Sequence, residues 1–198
     1  IGSGLVGSEM CIRDRYLSIT LGKAERLEDL INEFFEITRF NIYDITLQYT
    51  KINLTRLLEQ LVYEFKPMLK SKNLQCNLCV DDDIMLRCDA DKIQRVFDNL
   101  LRNAVIYSFE NTDITISAQC QEDTVSIIFC NHGDTLPEEK LNRIFEQFYR
   151  LDAARSTSSG GAGLGLAIAK QIVELHNGTI VAESQEDQNK FSITLPLA

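Results

Sequence analysis

The segment from which the architecture of this chain follows is Gly160-Gly161-Ala162-Gly163-Leu164-Gly165-Leu166-Ala167-Ile168-Ala169-Lys170. Glycines alternate in it with small or apolar residues, so the backbone can approach a ligand with no Cβ in the way. From Leu164 onward the apolar residues recur at helical spacing, which predicts a helix that begins near Leu164. The free N–H groups and the dipole at a helix start favour an anion such as a phosphate. By itself the pattern also fits a flexible loop before an ordinary amphipathic helix.

The composition narrows the class of protein. The chain has 198 residues, of which 44% are hydrophobic, which predicts one globular domain with an appendage. Its net charge of −9 argues against a nucleic-acid partner, because binding a phosphate backbone needs a basic face. No apolar run is long enough to span a bilayer, so we expect a soluble chain. A phosphate site would then depend on backbone N–H groups and a metal ion.

Six cysteines are scattered along the chain, and two of them form the motif Cys76-Asn77-Leu78-Cys79. Residues three apart on a strand point to opposite faces, which suits neither a metal site nor a disulfide. We therefore expect reduced and mostly buried thiols, as in a cytosolic protein.

The sequence divides into four parts. Residues 1–15 fit nothing downstream and resemble a cloning or assembly scar more than a signal peptide, so they carry no fold prediction. Residues 16–41 have apolar side chains at heptad spacing, which predicts a helix from Tyr16 to about Phe40. That helix either packs against a partner helix or is a plain amphipathic helix of its own domain. Residues 42–52 are predicted to be a linker with weak β character, and residues 53–198 a folded domain.

Helical and strand patterns alternate in the folded domain. One helix is predicted after an Asn53 N-cap, and a second from Asp91 to Ser108. Thr135-Leu136-Pro137-Glu138 has the pattern of a capping box, and Gly178 is the predicted left-handed C-cap of the helix after the glycines. The predicted strands are Gln75–Val80, Met85–Cys88, Asp113–Gln119, Thr124–Cys130, Thr179–Ser184 and Lys190–Leu195. This order predicts an α+β fold, a two-layer α/β sandwich with helices on one face of a mixed sheet.

The second predicted helix carries two asparagines on one side. Asn99 and Asn103 are four residues apart, so they share a face, while Leu100 and Ala104 turn toward the core. Amide oxygens can bind Mg²⁺ beside a phosphate without adding negative charge, and Mg²⁺ takes few protein ligands. The alternative is that both asparagines are only the polar flank of an amphipathic helix.

Further motifs follow in an order that decides between these readings. Asn131-His132-Gly133 ends a predicted strand, Phe145-Glu146-Gln147-Phe148-Tyr149-Arg150 comes next, and the glycine-rich segment comes last. With the asparagine helix, they resemble the N, G1, F and G2 boxes of sensor histidine kinases. That family has the GHKL (Bergerat) ATP-binding fold of DNA gyrase, heat-shock 90 chaperones and mismatch-repair ATPases. Residues 33–41 and 145–169 are similar to the VanS type of vancomycin-resistance sensor kinases, and the resemblance covers essentially all of residues 16–198.

The resemblance implies roles for individual residues. Asn103 would coordinate a Mg²⁺ that bridges the ATP phosphates, and Asn131 would accept from the adenine amino group where the family usually has an aspartate. Phe145 and Phe148 would anchor a mobile lid at residues 151–159. The full implied nucleotide site is Asn99, Asn103, Tyr107, Asn131, Gly133, Leu136, Phe145, Phe148, Arg150, Gly161, Ala162, Gly163, Leu164 and Gly165.

Three positions depart from the family or from its ATPase relatives. Thr135 replaces the second glycine of the G1 box, and Ile106 replaces a common lysine after the N box. Asn99 stands where the chaperone and gyrase relatives carry a glutamate that activates water, and an amide cannot act as a base at neutral pH. The resemblance therefore implies slow hydrolysis, with the γ-phosphate kept for a protein acceptor.

The resemblance implies a protein-histidine kinase whose acceptor histidine lies in an H-E/D-x-x-x-P motif on a dimerisation hairpin. That motif does not occur here, and the two histidines of the sequence, His132 and His176, lie in the ATP domain. Residues 16–41 look like the second helix of the hairpin. We therefore expect the cytoplasmic C-terminal part of a bacterial membrane sensor kinase, which binds Mg²⁺ and ATP without phosphorylating itself. Its expected partners are a response regulator and a second copy through the hairpin, with membrane contact only through segments outside this sequence.

Two other functions stay open. An anti-sigma-factor-type serine kinase shares the N and G boxes, but it generally lacks the element found at Phe145 to Arg150. A non-catalytic nucleotide-binding or dimer-interaction module is suggested by Ile106 and Asn131. Mg²⁺-dependent binding of an ATP analogue would separate the module from the kinases.

Overall fold

The computed structural model describes residues 13–24, 27–28, 31–32, 35, 46–80, 83–150 and 163–197. The chain forms two compact units, residues 1–43 and 44–198. In the first unit, every described residue is helical, in agreement with the predicted helix. The helix already includes Arg13 to Arg15, which lie in the segment predicted to be a scar. Leu17, Leu21 and Leu27 of this unit are exposed.

The second unit contains four helices and seven strands within its described residues. The helices are α1 (Leu54–Ser71), α2 (Ala90–Tyr107), α3 (Glu138–Leu141) and α4 (Gly165–Leu175), with a 3₁₀ turn at Arg143–Phe145. The strands are β1 (Thr50–Asn53), β2 (Gln75–Val80), β3 (Met85–Cys88), β4 (Asp113–Gln121), β5 (Thr124–His132), β6 (Thr179–Gln185) and β7 (Gln188–Pro196).

Five strands form one mixed sheet in the order β2-β4-β5-β7-β6, and β1 and β3 form a separate antiparallel pair. In the large sheet, β2 runs parallel to β4 and all other neighbours are antiparallel. Alternate residues such as Ile116, Ile127 and Ile193 are fully buried, so one face of the sheet forms the core. Helices α1, α2 and α4 pack on the sheet, and α2 also packs on α4. The predicted two-layer α+β sandwich is confirmed.

Local sequence explains where the long helices begin. The Asn53 side chain accepts a hydrogen bond from Arg56 N at 3.0 Å, so it caps α1 as predicted. Asp89 caps α2 in the same way, through a bond from Lys92 N at 3.2 Å. The helix α2 then buries a stripe of apolar side chains at helical spacing, namely Ile93, Val96, Phe97, Leu100, Leu101, Ala104 and Val105.

Two predicted helix caps are wrong. Thr135 does not cap α3, because its hydroxyl bonds to Asp187 instead. The N-cap residue is Pro137, which makes no side-chain hydrogen bond. Gly178 is not the left-handed residue after α4, since Asn177 takes that role with φ 57°. A Cβ on Gly178 would lie 2.5 Å from Thr194 O, so glycine is needed there for close packing rather than for its conformation.

The predicted linker and the cysteines also differ in detail. Residues 50–52 were expected to end a linker, but they belong to β1, which pairs with β3. All cysteines within the described ranges are free thiols, yet Cys79 and Cys120 are exposed, so the expectation of mostly buried thiols is wrong. Burial raises the pKa of Cys76 to about 11 and, together with the nearby Asp89 carboxylate, that of Cys88 to about 12. Among the described residues, no helix combines the length and the apolar character needed to cross a membrane.

Candidate functional site

The asparagine helix and the glycine segment meet at one point of the fold. A Cβ built on Gly165, the first residue of α4, would lie 3.1 Å from Asn99 Oδ1. The N-terminus of α4 therefore rests directly against the Asn99 amide. Asn103, one turn further along α2, is half-buried. The two motifs that the sequence places more than sixty residues apart thus form one surface.

The N-terminus of α4 has no side-chain cap. Its N-cap residue is Leu164, which is buried and offers no capping side chain. The first intrahelical bond that reaches back to it comes from Ile168 N at 2.9 Å. The N–H groups of the first turn before Ile168 therefore have no side-chain cap, and they add to the positive end of the helix dipole.

Two described residues that flank the predicted lid, Phe148 and Gly163, are joined by a backbone hydrogen bond. Phe148 N donates to Gly163 O at 3.0 Å. Gly163 has φ +78°, and a Cβ there would lie 2.8 Å from Tyr149 O, so both its conformation and its packing require glycine. The predicted lid residues 151–159, with Gly161 and Ala162, lie outside the described residues. The backbone hydrogen bond between Phe148 and Gly163 is therefore the described contact beside the predicted lid.

The aromatic residues of the F box behave differently from one another. The ring of Phe145 packs edge-on against Phe191 of β7, with ring centroids 6.5 Å apart, and Lys170 of α4 lies over its ring. Phe148 is 59% exposed. Its backbone has φ 63° and is held by the hydrogen bond to Gly163 O. Phe145 therefore anchors this element through its side chain, whereas the described contact of Phe148 runs through its backbone.

The end of β5 packs against the end of α2. A Cβ on Gly133 would overlap the carbonyl oxygen of Tyr107, so only glycine fits there.

Asn131 is 1% exposed, and its Nδ2 atom finds no hydrogen-bond partner among the described residues. Nδ2 of Asn99 is buried and unpartnered in the same sense. Such groups are rare in native proteins because each one has lost its bond to water.

Sequence reasoning missed the residues that hold the loop after Gly133. Ser184 Oγ accepts a hydrogen bond from Leu136 N at 2.7 Å and donates to Asn189 Oδ1 at 2.6 Å. Asn189 Nδ2 in turn donates to Asp134 O at 3.3 Å. These residues come from β6 and β7, more than forty positions away in sequence, so no local spacing could reveal them.

The remaining predicted residues differ in exposure. Tyr107 is 45% exposed at the end of α2. Leu136 and Arg150 are half-buried. Asp98 precedes Asn99, and burial, with a contribution from the charge of Glu64, raises the pKa of its carboxyl. No cluster of three His, Cys, Asp or Glu side chains suited to a metal ion occurs in the described ranges.

A comparison with known proteins agrees with this geometry. The family described as Histidine kinase-, DNA gyrase B-, and HSP90-like ATPase matches residues 88–198. The chain belongs to this ATPase family. As a member, it is 50% identical over 182 residues to the sensor protein VanS of Enterococcus faecium, covering 92% of this chain and 47% of VanS. It is 46% identical over 185 residues to the sensor protein VanSC of Enterococcus gallinarum, covering 93% of this chain and 51% of VanSC.

A solved structure of the same ATPase family extends the likeness to three dimensions. The histidine kinase ThkA, crystallised in complex with the response regulator protein TrrA, has a TM-score of 0.76 and 26% identity, covering 93% of this chain and 51% of ThkA. The prediction of a VanS-type sensor-kinase ATP-binding domain with the GHKL fold is confirmed. The chain spans about half the length of VanS and VanSC.

Proposed function

We propose that this domain binds Mg²⁺ and ATP between α2 and the start of α4, and delivers the γ-phosphate to a histidine on a helical hairpin. The contact between Asn99 and Gly165 carries this proposal. It places an amide-bearing helix face beside a helix N-terminus without a side-chain cap. Backbone N–H groups and a cation held by amide oxygen can offset part of the charge of a triphosphate in a chain whose net charge is −9.

Each residue of the site has a role in this proposal. Asn103 holds the magnesium ion through its side-chain oxygen, and a bound Mg²⁺ neutralises charge on the phosphates. The N–H groups of the first α4 turn bind phosphate oxygens. Asn99 keeps its amide against Gly165 and cannot take a proton from water, so hydrolysis is slow and the phosphate is saved for a protein acceptor. The unpartnered amide nitrogens of Asn99 and Asn131 fit a site completed by a ligand.

The partners follow from the relatives. ThkA forms a complex with a response regulator, and we propose a response regulator as the partner of this domain too. The helical residues of the first unit, with exposed Leu17, Leu21 and Leu27, fit one helix of a dimerisation hairpin. Because VanS and VanSC are sensor proteins, we place the domain on the cytoplasmic side of a membrane-anchored kinase.

The binding step is tested by calorimetric titration with a non-hydrolysable ATP analogue, with and without Mg²⁺. We expect Mg²⁺-dependent binding that Asn103→Ala weakens by roughly a hundredfold, since a metal ligand is lost. Gln94→Ala is the matched control, because nine residues along α2 place it about 180° around the helix from Asn103. Binding that ignores Mg²⁺, or that Asn103→Ala leaves intact, would favour a non-catalytic module.

The transfer step is tested with ATP labelled on the γ-phosphate. The chain alone should stay unlabelled, because its two histidines lie in the ATP domain and not in an acceptor motif. A separate protein that carries the acceptor hairpin should gain acid-labile label when this chain is added. Acid-stable label on serine would instead support the anti-sigma-type kinase.

A further inference from the structure

Asn131 is the most deeply enclosed polar side chain of the site. It is 1% exposed, and its amide nitrogen has no acceptor among the described residues. That nitrogen lies 3.4 Å from the position that a Cβ on Gly133 would take. It therefore sits where the end of β5, the end of α2 and the strand β7 come together.

The polar groups around Asn131 are already in use. The amide of its register neighbour Asn189 bonds to Ser184 and to Asp134 O. The carboxylate of Asp187 accepts from the Thr135 hydroxyl at 3.1 Å. Among the side chains at this junction of β5, α2 and β7, Asn131 thus keeps hydrogen-bonding capacity for the edge of a base.

The chemistry of that capacity differs from that of a carboxylate. An ionised carboxylate only accepts hydrogen bonds, so it suits the 6-amino group of adenine and opposes a 6-keto oxygen. A side-chain amide has one acceptor and one donor group. Rotated one way, it matches the N6–H donor and N1 acceptor of adenine, and rotated by 180° it matches the O6 acceptor and N1–H donor of a 6-keto purine.

We propose that Asn131 makes the purine site tolerant at position 6, so that it takes inosine and guanosine triphosphates as well as ATP. The inference rests on the proposed nucleotide site and names the substrate class of that site. The buried donor on Nδ2 favours a ligand that brings an acceptor, because an unmatched buried donor is costly.

The experiment is a competition of ATP and ITP, each with Mg²⁺, against a fluorescent ATP analogue bound to the whole chain. ITP differs from ATP in the 6-substituent and the N1 proton, so it isolates the edge that Asn131 reads. For the wild-type protein, we expect a dissociation constant for ITP within about tenfold of that for ATP. Asn131→Asp should leave ATP binding equal or tighter and weaken ITP by at least about tenfold, because the donor is replaced by a charged acceptor.

Two further variants separate selectivity from general damage. Asn73→Asp adds the same charge in an exposed turn between α1 and β2, and it should leave the ITP to ATP ratio unchanged. Asn131→Ala removes both hydrogen-bonding groups, so it should weaken both nucleotides and keep their ratio near that of the wild type. Thermal unfolding of each variant shows whether the fold is kept.

The outcomes distinguish this inference from the proposed function. A wild-type protein that binds ATP but rejects ITP by more than about a hundredfold overturns the inference and leaves the nucleotide site standing. An Asn131→Asp variant with an unchanged ratio overturns it as well. Failure to bind either nucleotide overturns the proposed site and the inference together. GTP extends the test to the natural 6-keto purine, since it adds a 2-amino group to the ITP base.

Discussion

The two ends of the helix pair α2 and α4 treat their buried polar groups in opposite ways. Where α2 begins and α4 ends, His176 is 3% exposed and both ring nitrogens are bonded. Nε2 accepts from Asp89 N at 3.0 Å, so the proton sits on Nδ1, which donates to Ile172 O at 2.8 Å. At the other end, Asn99 and Asn131 bury amide nitrogens that have no partner in the part of the chain the structure describes.

The bonded end extends beyond the two helices. The Asp89 carboxylate caps α2 through Lys92 N and accepts a second bond from Gln48 N at 3.0 Å. Tyr49 packs edge-on against the His176 ring, with centroids 5.6 Å apart. The polar groups of this end are bonded to each other, whereas the Asn99 end, called the ligand end here after the proposed nucleotide site, has amide nitrogens with no partner among the described residues. We therefore expect substitutions at the bonded end to cost stability, and those at the ligand end to cost binding.

The largest effect on stability is expected for His176→Ala. The substitution leaves the buried Asp89 N–H without its acceptor, removes one of the two bonds to Ile172 O and opens a cavity beside Tyr49. We expect a loss of about 3 kcal/mol in the free energy of unfolding, measured by urea titration.

His132→Ala is the matched control for that variant. His132 is half-buried, and its two ring contacts, with Asp113 O and with Gln188, are longer, at 3.3 and 3.4 Å. We expect a loss below about 1 kcal/mol for it. Equal losses for the two histidines would show that the hydrogen bonds of His176 add no more stability than the longer contacts of His132.

The glycines at the two ends give a sharper contrast, with a smaller effect on stability. At the bonded end, Gly178→Ala places a Cβ 2.5 Å from Thr194 O and 3.0 Å from Val173 Cγ1, so we expect a loss of about 2 kcal/mol. At the ligand end, Gly165→Ala meets only the Asn99 side chain, and we expect a stability change within about 1 kcal/mol.

Nucleotide titration completes that contrast. Gly165→Ala should weaken binding of the ATP analogue by at least about tenfold, because the new methyl group displaces the Asn99 amide from the start of α4. A Gly165→Ala protein that binds normally, or one that unfolds as readily as Gly178→Ala, would remove the distinction between the two ends.

The elements that the sequence predicts well are those set by local pattern. The strands Gln75–Val80 and Met85–Cys88 have the predicted bounds, because turns and alternation mark them on both sides. The helix α2 begins and ends one residue before its predicted limits. The motifs also predict Asn99 and Gly165 as members of one site, and these two residues lie in contact.

The features that the sequence does not predict depend on distant partners. The Thr135 hydroxyl bonds to Asp187, 52 positions away, so the local capping-box pattern is misleading there. Gly178 is required by a carbonyl of β7 and not by a turn. Ser184 and Asn189 support the loop after Gly133 only because the sheet brings β6 and β7 beside β5. Periodicity carries no information on such contacts.

The smallest expected effect concerns Asp98, on the side of α2 that lies near Glu64 of α1. Burial, with a contribution from the Glu64 charge, raises the pKa of Asp98 above its ordinary value of 3.8, so the folded state holds the proton more tightly than the unfolded state. Stability from this group is therefore present at low pH, declines as the pH rises through 3.8 and the raised folded value, and stays lost at neutral pH. Asp98→Asn should raise the free energy of unfolding at pH 7, measured by urea titration. The gain should be less than about 1 kcal/mol, because solvent screens a partly exposed carboxyl, and it should shrink toward pH 4. Asp91→Asn, in the first turn of the same helix, should have the opposite sign, because a carboxylate there favours the helix dipole. If both variants shifted stability in the same direction at pH 7, the gain would reflect a general response of this acidic chain to lost charge, and Asp98 would carry no specific penalty.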